Sequence, residues 1–222
     1  MRLARESLAV AAKDLRIEIR GRYAVGTVLP FAATLLIAFG LSLGPGRTLL
    51  RETAPGLLWL AVLFASVLAF RRSYEAEGED GALEGLVLSP LDRAAIYLGK
   101  AAAVVVQLWA LEAFVLLLVA VLFDLPLGTA PLVVAAAFLL GTVGLAAVGS
   151  LFGVLTESAR AREAVFPLLV LPLTVPVLIA GVKATAAATA GAGVGSWIGL
   201  LIAFDLVFVA AGTLVYGSLL ED

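Results

Sequence analysis

Apolar residues run through this chain in long blocks, not at the spacing of an amphipathic globular core. Segments at 24–43, 55–70, 99–123, 131–155, 165–183 and 197–219 are apolar almost throughout. A helix needs about 20 such residues to cross the hydrocarbon of a bilayer. The block at 55–70 is the shortest, and Arg71 and Arg72 can snorkel from its end toward the headgroups. In lipid every backbone N–H and C=O must be paired within the structure, and the alternation of a membrane barrel is absent. The pattern therefore predicts an all-α membrane protein: six transmembrane helices in a single domain over residues 1–222. The first block is too long for the apolar part of a cleaved leader, and GLSLGPG after it offers no small-residue cleavage site.

A different pattern precedes the first block. Residues 2–22, RLARESLAVAAKDLRIEIRGR, place Leu8, Ala12, Leu15 and Ile19 on one helical stripe with charges around the rest. Arg2–Glu6 and Glu18–Arg22 are spaced as i,i+4 pairs. Such a helix lies in the membrane interface with its stripe in lipid, or it is a solvated helical tail; the stripe favours the interface.

Basic residues orient the spans. With the N-terminus in the cytoplasm, the inner segments hold Arg2, Arg5, Lys13, Arg16, Arg20, Arg22, Arg71, Arg72, Arg93, Lys100, Arg160 and Arg162, and the outer ones only Arg47, Arg51 and Lys183. The asymmetry predicts that both termini face the cytoplasm.

That orientation puts the most charged stretch, RRSYEAEGEDGALEGLVLSPLDRAAIYLGK from Arg71 to Lys100, in a cytoplasmic loop over 71–98. Asp80 is placed to cap a short helix at about 80–89, starting at Gly81, and Leu83, Leu86 and Val87 then share one apolar face. Glu84 faces elsewhere, and Glu75, Glu77 and Glu79 precede the cap. Pro90 ends the short helix. Ser89-Pro90-Leu91-Asp92 then reads as the start of the third membrane helix, with Ser89 as its cap. Spacing alone leaves two readings: a loop kept in water by its acids, or a docking surface for a soluble partner.

Within the spans, Glu112 and Asp205 are carboxylates at mid-membrane, costing on the order of 2.5–3.5 kcal/mol each on insertion scales. They line a substrate route or coupling site, or they are protonated and bonded to a neighbour such as Gln107 or Thr213. Pro167, Pro172 and Pro176 each remove a backbone hydrogen bond from the fifth span and predict a bent or interrupted helix. Gly149-x-x-x-Gly153 and Gly195-x-x-x-Gly199-x-x-x-Ala203 permit close helix approach, with packing as the simpler explanation.

Composition narrows the chemistry. The 222 residues are 62% hydrophobic and 14% charged with a mean hydropathy of +1.10, which makes lipid the expected solvent. A formal charge of −2 argues against nucleic acid as a partner. With no cysteine and no histidine, thiol catalysis, thiolate metal sites and imidazole ligands are excluded from this chain. No GxxxxGK[ST] pattern occurs; Leu98-Gly99-Lys100-Ala101 lacks both the first glycine at the right spacing and the hydroxyl. Neither a catalytic group nor a metal ligand is expected. An intramembrane enzyme would need a nucleophile and a base, and a secondary transporter would show inverted repeats, which are not visible.

The stretch APGLLWLAVLFASVLAFRRSYEAEGEDGALEGLVLSPLDRAAIYLGK (Ala54–Lys100) resembles the heme exporter protein B family (CcmB), permeases of cytochrome c maturation. LPLTVPVLI (Leu171–Ile179) resembles that family's fifth span, and LGP (Leu43–Pro45) the end of its first. The resemblance implies an ABC-2-like, type V exporter permease in the cytoplasmic (inner) membrane. Two copies would pair with two copies of a CcmA-type ATP-binding-cassette ATPase, which holds the ATP. CcmC-, CcmD- and CcmE-like membrane proteins are further implied partners. It implies ATPase docking through a coupling helix at Asp80, Gly81, Leu83, Glu84, Leu86, Val87 and Pro90. Heme or a heme-bearing intermediate is the implied cargo, with no cofactor resident in this chain; any heme iron is not ligated by an imidazole of this chain. Related permeases also carry short re-entrant helices on the outer side, which would fall on ATAAATAGAGVGS at 184–196. Gly85 departs from the family, which often has glutamine there, and mid-helix glycine costs about 1 kcal/mol relative to alanine. A general ABC-2-type permease for lipid or another amphipathic substrate is the alternative.

Overall fold

A computed structural model describes residues 2–79, 91–125, 131–155 and 162–219, without the side chains of 71–79, 154–155, 162–164 and 219. The described chain is helical. α1 (Arg2–Gly21) is followed by a π-helical stretch (Ala24–Val28) that runs into α2 (Leu29–Leu43). Then come α3 (Arg47–Glu79), α4 (Arg93–Phe123), α5 (Pro131–Leu155), α6 (Arg162–Thr189) and α7 (Gly195–Leu219). Six stretches are long and apolar enough to cross a membrane: Ala24–Leu43, Arg47–Phe70, Arg93–Phe123, Pro131–Gly153, Val165–Thr189 and Gly195–Ser218. The all-α membrane architecture expected from the apolar blocks is therefore the one observed.

α4 and α5 form the centre. α4 touches α1, α2, α3, α5 and α7, and α5 touches α3, α4, α6 and α7. The outside is as apolar as the inside: Leu117, Leu132, Leu168 and Leu214 are among the exposed side chains. A water-soluble surface would not tolerate that belt; in hydrocarbon it needs no covering.

Aromatic rings seated on glycines hold the interior together. Trp59 of α3 is fully buried, stacks on Phe138 at 5.2 Å, and donates its indole N–H to Thr185 Oγ1 at 2.9 Å. A Cβ added at Gly181 would stand 2.5 Å from that indole, and one added at Gly141 would also collide with it. One ring thus joins α3, α5 and α6. Phe70 sits in the same way on Gly149, and Tyr97 on Gly212. The Tyr97 hydroxyl lies within hydrogen-bonding distance of Ala147 O (3.2 Å) and Phe208 O (3.1 Å), tying α4 to α5 and α7. Gly149 is therefore a seat for a ring of α3. Gly195, Gly199 and Ala203 are exposed and contribute nothing to packing within this chain.

Three local expectations are corrected. The first part of the loop, 71–79, is helical, because α3 continues to Glu79, whereas α4 starts at Arg93, close to where the sequence places the start of the third helix. The run RRSYEAEGE is rich in helix formers and free of proline, so nothing stops the helix at the membrane surface. Secondly, Asp92 rather than Ser89 caps α4: its extended backbone (φ −64°, ψ 131°) lets Oδ1 accept from Ala94 N at 2.9 Å. Thirdly, 184–196 is not a pair of re-entrant helices. The alanine-rich run extends α6 to Thr189, and the helix closes on Gly191 at φ +68°. Ala192 N donates to Ala187 O (2.8 Å) and Gly191 N to Ala188 O (3.3 Å), the paired bonds of a Schellman turn. Ala184 and Ala188 stay buried in the core, so packing favours the continued helix. α6 also runs without interruption through Pro167, Pro172 and Pro176.

Trp59→Ala should lower the stability of the detergent-solubilised protein by on the order of 3 kcal/mol, the usual cost of emptying a large aromatic site. Thr185→Val, which removes only the acceptor, should cost about 0.6 kcal/mol, typical of a hydrogen bond between membrane helices. Thermal unfolding followed by tryptophan fluorescence would rank the two; equal losses would contradict the wedge role of the ring.

Candidate functional site

Functional residues can be sought at two places: where α1 meets the start of α4, and where carboxyl groups enter the bundle. At the first, α1 lies along the beginning of α4. Glu6, Val10, Ala11 and Asp14 are buried, whereas Leu8 is 69% and Ile19 74% exposed. The helix turns a polar and small-residue face to the protein and its apolar stripe outward, so it is no free solvated tail. Gly99 permits the close crossing: a Cβ there would stand 2.6 Å from Val10 Cβ and 2.7 Å from Ser7 O.

Glu6 makes that crossing specific. Its Oε1 accepts from Arg2 Nε at 2.7 Å, and its Oε2 accepts from the backbone N–H of Asp92 at 3.1 Å. The amide that opens α4, which no carbonyl of α4 itself can satisfy, is thus held by the N-terminal helix. The side-chain bond from Arg2, then that from the Asp92 amide, holds the Glu6 carboxyl below the usual carboxylate range. Nearby, Lys13 Nζ pairs with Asp14 Oδ1 at 3.0 Å, and Lys100, the residue after the crossing glycine, is buried.

The second place is α5 between Thr142 and Gly144. Glu112 of α4 is 3% exposed, and its Oε1 lies 2.5 Å from Thr142 Oγ1. Thr142 Oγ1 also lies 2.7 Å from Phe138 O. A hydroxyl has one hydrogen to give. The Thr142 hydroxyl donates either to Glu112 Oε1 or to Phe138 O of its own helix. Glu112 Oε2 remains buried without a hydrogen-bond partner among the described residues. Asp205 of α7 lies against the same turn of α5: a Cβ at Gly144 would stand 2.8 Å from its Oδ1. Neither Asp205 oxygen has a hydrogen-bond partner among the described residues.

The neighbours expected for these carboxyls are therefore corrected. Thr142, not Gln107, bonds Glu112, and Gln107 is half-buried on α4. Thr213 donates to Val209 O (3.0 Å) or Ala210 O (2.9 Å) of its own helix and not to Asp205. Thr142 carried a weak signal in the sequence, as one of few polar residues in the apolar run PLVVAAAFLLGTVGLAAVGSLFGVL. Glu6 carried none, because its i,i+4 spacing to Arg2 already accounts for it. The residues named for docking, Asp80, Gly81, Leu83, Glu84, Leu86, Val87 and Pro90, lie outside the described residues. Pro167, Pro172 and Pro176 line up along α6, away from both places in sequence.

A carboxylate whose folded pKa is depressed stabilises the fold above its ordinary value, near 4.3, and that contribution goes as pH falls through the lowered value. The Glu6 clamp should therefore be complete across neutral pH and weaken only in acid, as pH falls below the ordinary carboxylate range. Hydrogen exchange at the Asp92 amide is the readout. Glu6→Ala should speed that exchange at neutral pH and abolish its acid dependence, whereas rapid exchange already in the native chain would rule the clamp out.

Residues 5–221 match the family described as CcmB protein. Among curated relatives, Heme exporter protein B of Pseudomonas aeruginosa is 34% identical over 173 residues, 77% of this chain and 76% of its own length. Heme exporter protein B of Rhodobacter capsulatus is 34% identical over 180 residues, 79% of this chain and 80% of its own. That of Paracoccus denitrificans is 32% identical over 179 residues, 79% and 80% of the two chains.

Proposed function

The chain belongs to the CcmB family, and from that premise we propose that it is the membrane permease subunit of a heme exporter in cytochrome c maturation. The family match over residues 5–221 carries this reading. The relatives' shared name, Heme exporter protein B, points to heme as the cargo; a heme-bearing intermediate released at the membrane is the other form that the cargo takes in this reading. The fold agrees in kind, with six membrane-spanning helices. An ABC-2-type permease for a lipid is less well supported, since nothing in the matched family points to it.

In this reading the chain does no bond-breaking of its own. A separate ATP-binding-cassette subunit hydrolyses ATP, two copies of each assembling, and CcmC-, CcmD- and CcmE-like proteins join them. Both termini face the cytoplasm, as the distribution of arginine and lysine favours. α1 lies in the inner interface with Leu8 and Ile19 in lipid. The ATPase grips the apolar face of Leu83, Leu86 and Val87, framed by Asp80, Gly81 and Glu84 and closed by Pro90. A push there reaches the bundle through the two helices that leave the segment, α3 at Glu79 and α4 at Arg93. Since Glu6 of α1 holds the Asp92 amide, α1 moves with α4. Glu112 and Asp205 give the centre of the bundle its polar groups, and Pro167, Pro172 and Pro176 weaken the α6 hydrogen-bond ladder where repacking during transport would need it weak.

A strain lacking its own CcmB should regain covalent heme in its c-type cytochromes when this chain is supplied with its ATPase, scored by heme-stained gels. Leu83→Asp should cut co-purification of that ATPase at least tenfold while leaving the permease in the membrane. Restored maturation with undiminished co-purification would keep the family function and discard the docking surface; no restoration at all would discard the export reading.

A further inference from the structure

α1 sorts its charges by direction. Each of its three acids is engaged within the chain. Glu6 bonds Arg2 and the Asp92 amide, Asp14 is buried beside Lys13, and Glu18 Oε1 accepts from Ala24 N at 2.8 Å. Arg5, Arg16 and Arg20 are exposed, and none of them makes a side-chain hydrogen bond or an ion pair among the described residues. At about 100° per residue these three arginines fall within roughly 60° of one another around the helix. The exposed Leu8 and Ile19 lie directly beside them, while Asp14 and Glu18 are about 150° or more away around the axis. The outward half of α1 is therefore an apolar strip with a row of unneutralised guanidinium groups along one flank.

That row cannot turn away. Val10 seated against Gly99 and Glu6 bonded to the Asp92 amide fix the rotation of α1 about its own axis. Arg5 and Arg20 stand about 22 Å apart along the helix at 1.5 Å per residue, so no single small anion spans them. A nucleic acid would match the row but leave Leu8 and Ile19 in water, and the net charge of the chain is −2. A layer of anionic headgroups matches both features: acyl chains meet the strip, and phosphates meet the row alongside it. Guanidinium suits phosphate because it presents its N–H donors as a planar fork.

We propose that Arg5, Arg16 and Arg20 form a recognition row for anionic phospholipids, holding their phosphates beside the strip that Leu8 and Ile19 place among the acyl chains. This inference rests on the interfacial position that the export reading gives α1, and adds the headgroup class to it. A zwitterionic headgroup carries the same phosphate together with a cation of its own, which the row repels. Selection is therefore by net headgroup charge.

Ala12 is exposed between the strip and the row, so Ala12→Trp places a fluorescent reporter there. The full chain carrying it would be reconstituted in vesicles of phosphatidylcholine with a minor fraction of phosphatidylglycerol, one or the other lipid bearing brominated acyl chains. Quenching of the three native tryptophans, measured in the chain without the reporter, is subtracted. Per brominated molecule, phosphatidylglycerol should quench the reporter about fivefold more effectively, the ratio set by about 1 kcal/mol for one arginine at an anionic lipid surface. Arg5→Gln, Arg16→Gln and Arg20→Gln together should bring that ratio to one, and the three matching lysine substitutions should keep it. Equal quenching by the two lipids with all three arginines present needs no charge variant to fold; it would overturn the proposal and leave α1 in the interface. Quenching by neither lipid would remove the interfacial position and the proposal with it. A ratio that survives the triple glutamine variant would overturn the row as its source.

Discussion

Helices already surrounded by hydrocarbon gain nothing from hiding apolar surface against one another, so close contact has to hold this bundle together. The contact on which the rest depends is Trp59 seated against Gly141 and Gly181. Dispersion attraction falls off within an ångström of optimal separation, and a glycine lets a ring reach the backbone where any other residue would hold it away. The ring does more than fill space. Its N–H finds Thr185 and its face finds Phe138, so the rotation and depth of three helices are fixed by one side chain. Phe70 on Gly149 and Tyr97 on Gly212 repeat the device nearer the Arg93 end of α4, and the Tyr97 hydroxyl adds a polar fix at that level.

The same shortage of driving force explains where the polar groups lie. A carboxyl in lipid is tolerated when it faces protein and finds a partner. Glu112 finds Thr142; Asp205 faces protein without a hydrogen-bond partner among the described residues and rests on the bare backbone at Gly144, where a side chain would have excluded it. Both therefore lean on one turn of α5, from opposite neighbours. α1 shows the reverse distribution. Glu6 and Asp14 face the protein while Leu8 and Ile19 face away, the distribution that the proposed interfacial position of that helix requires.

The elements were legible in the sequence because long apolar blocks leave the backbone no other way to pair its polar groups. Their ends were less so. α3 runs to Glu79 because no breaker follows Phe70, and hydropathy marks where lipid ends rather than where a helix does. Ser89-Pro90 reads as a cap by motif, yet Asp92 takes the role, and the amide it exposes is held by a residue 86 positions away. No local pattern contains that bond. At 184–196 the resemblance implied short re-entrant helices, but alanine is the strongest helix former, and burial of Ala184 and Ala188 against the core carries α6 on to Thr189 before the chain turns. Glu112 and Asp205 were visible as charges out of place. Their surroundings were not, since Thr142 and Gly144 become neighbours only through the packing of three helices.

α4 is the element that both polar places share. Its first amide, that of Asp92, is held by α1, and Glu112 sits about 30 Å further along the same rod at 1.5 Å per residue. Nothing interrupts the helix between them: no proline or bulge occurs from Arg93 to Phe123, and the one glycine, Gly99, is filled by Val10 of α1. A rod without a hinge does not absorb a displacement at its end; it shifts or tilts as a whole. Tilting α4 therefore changes its separation from α5 at Thr142, the partner of Glu112.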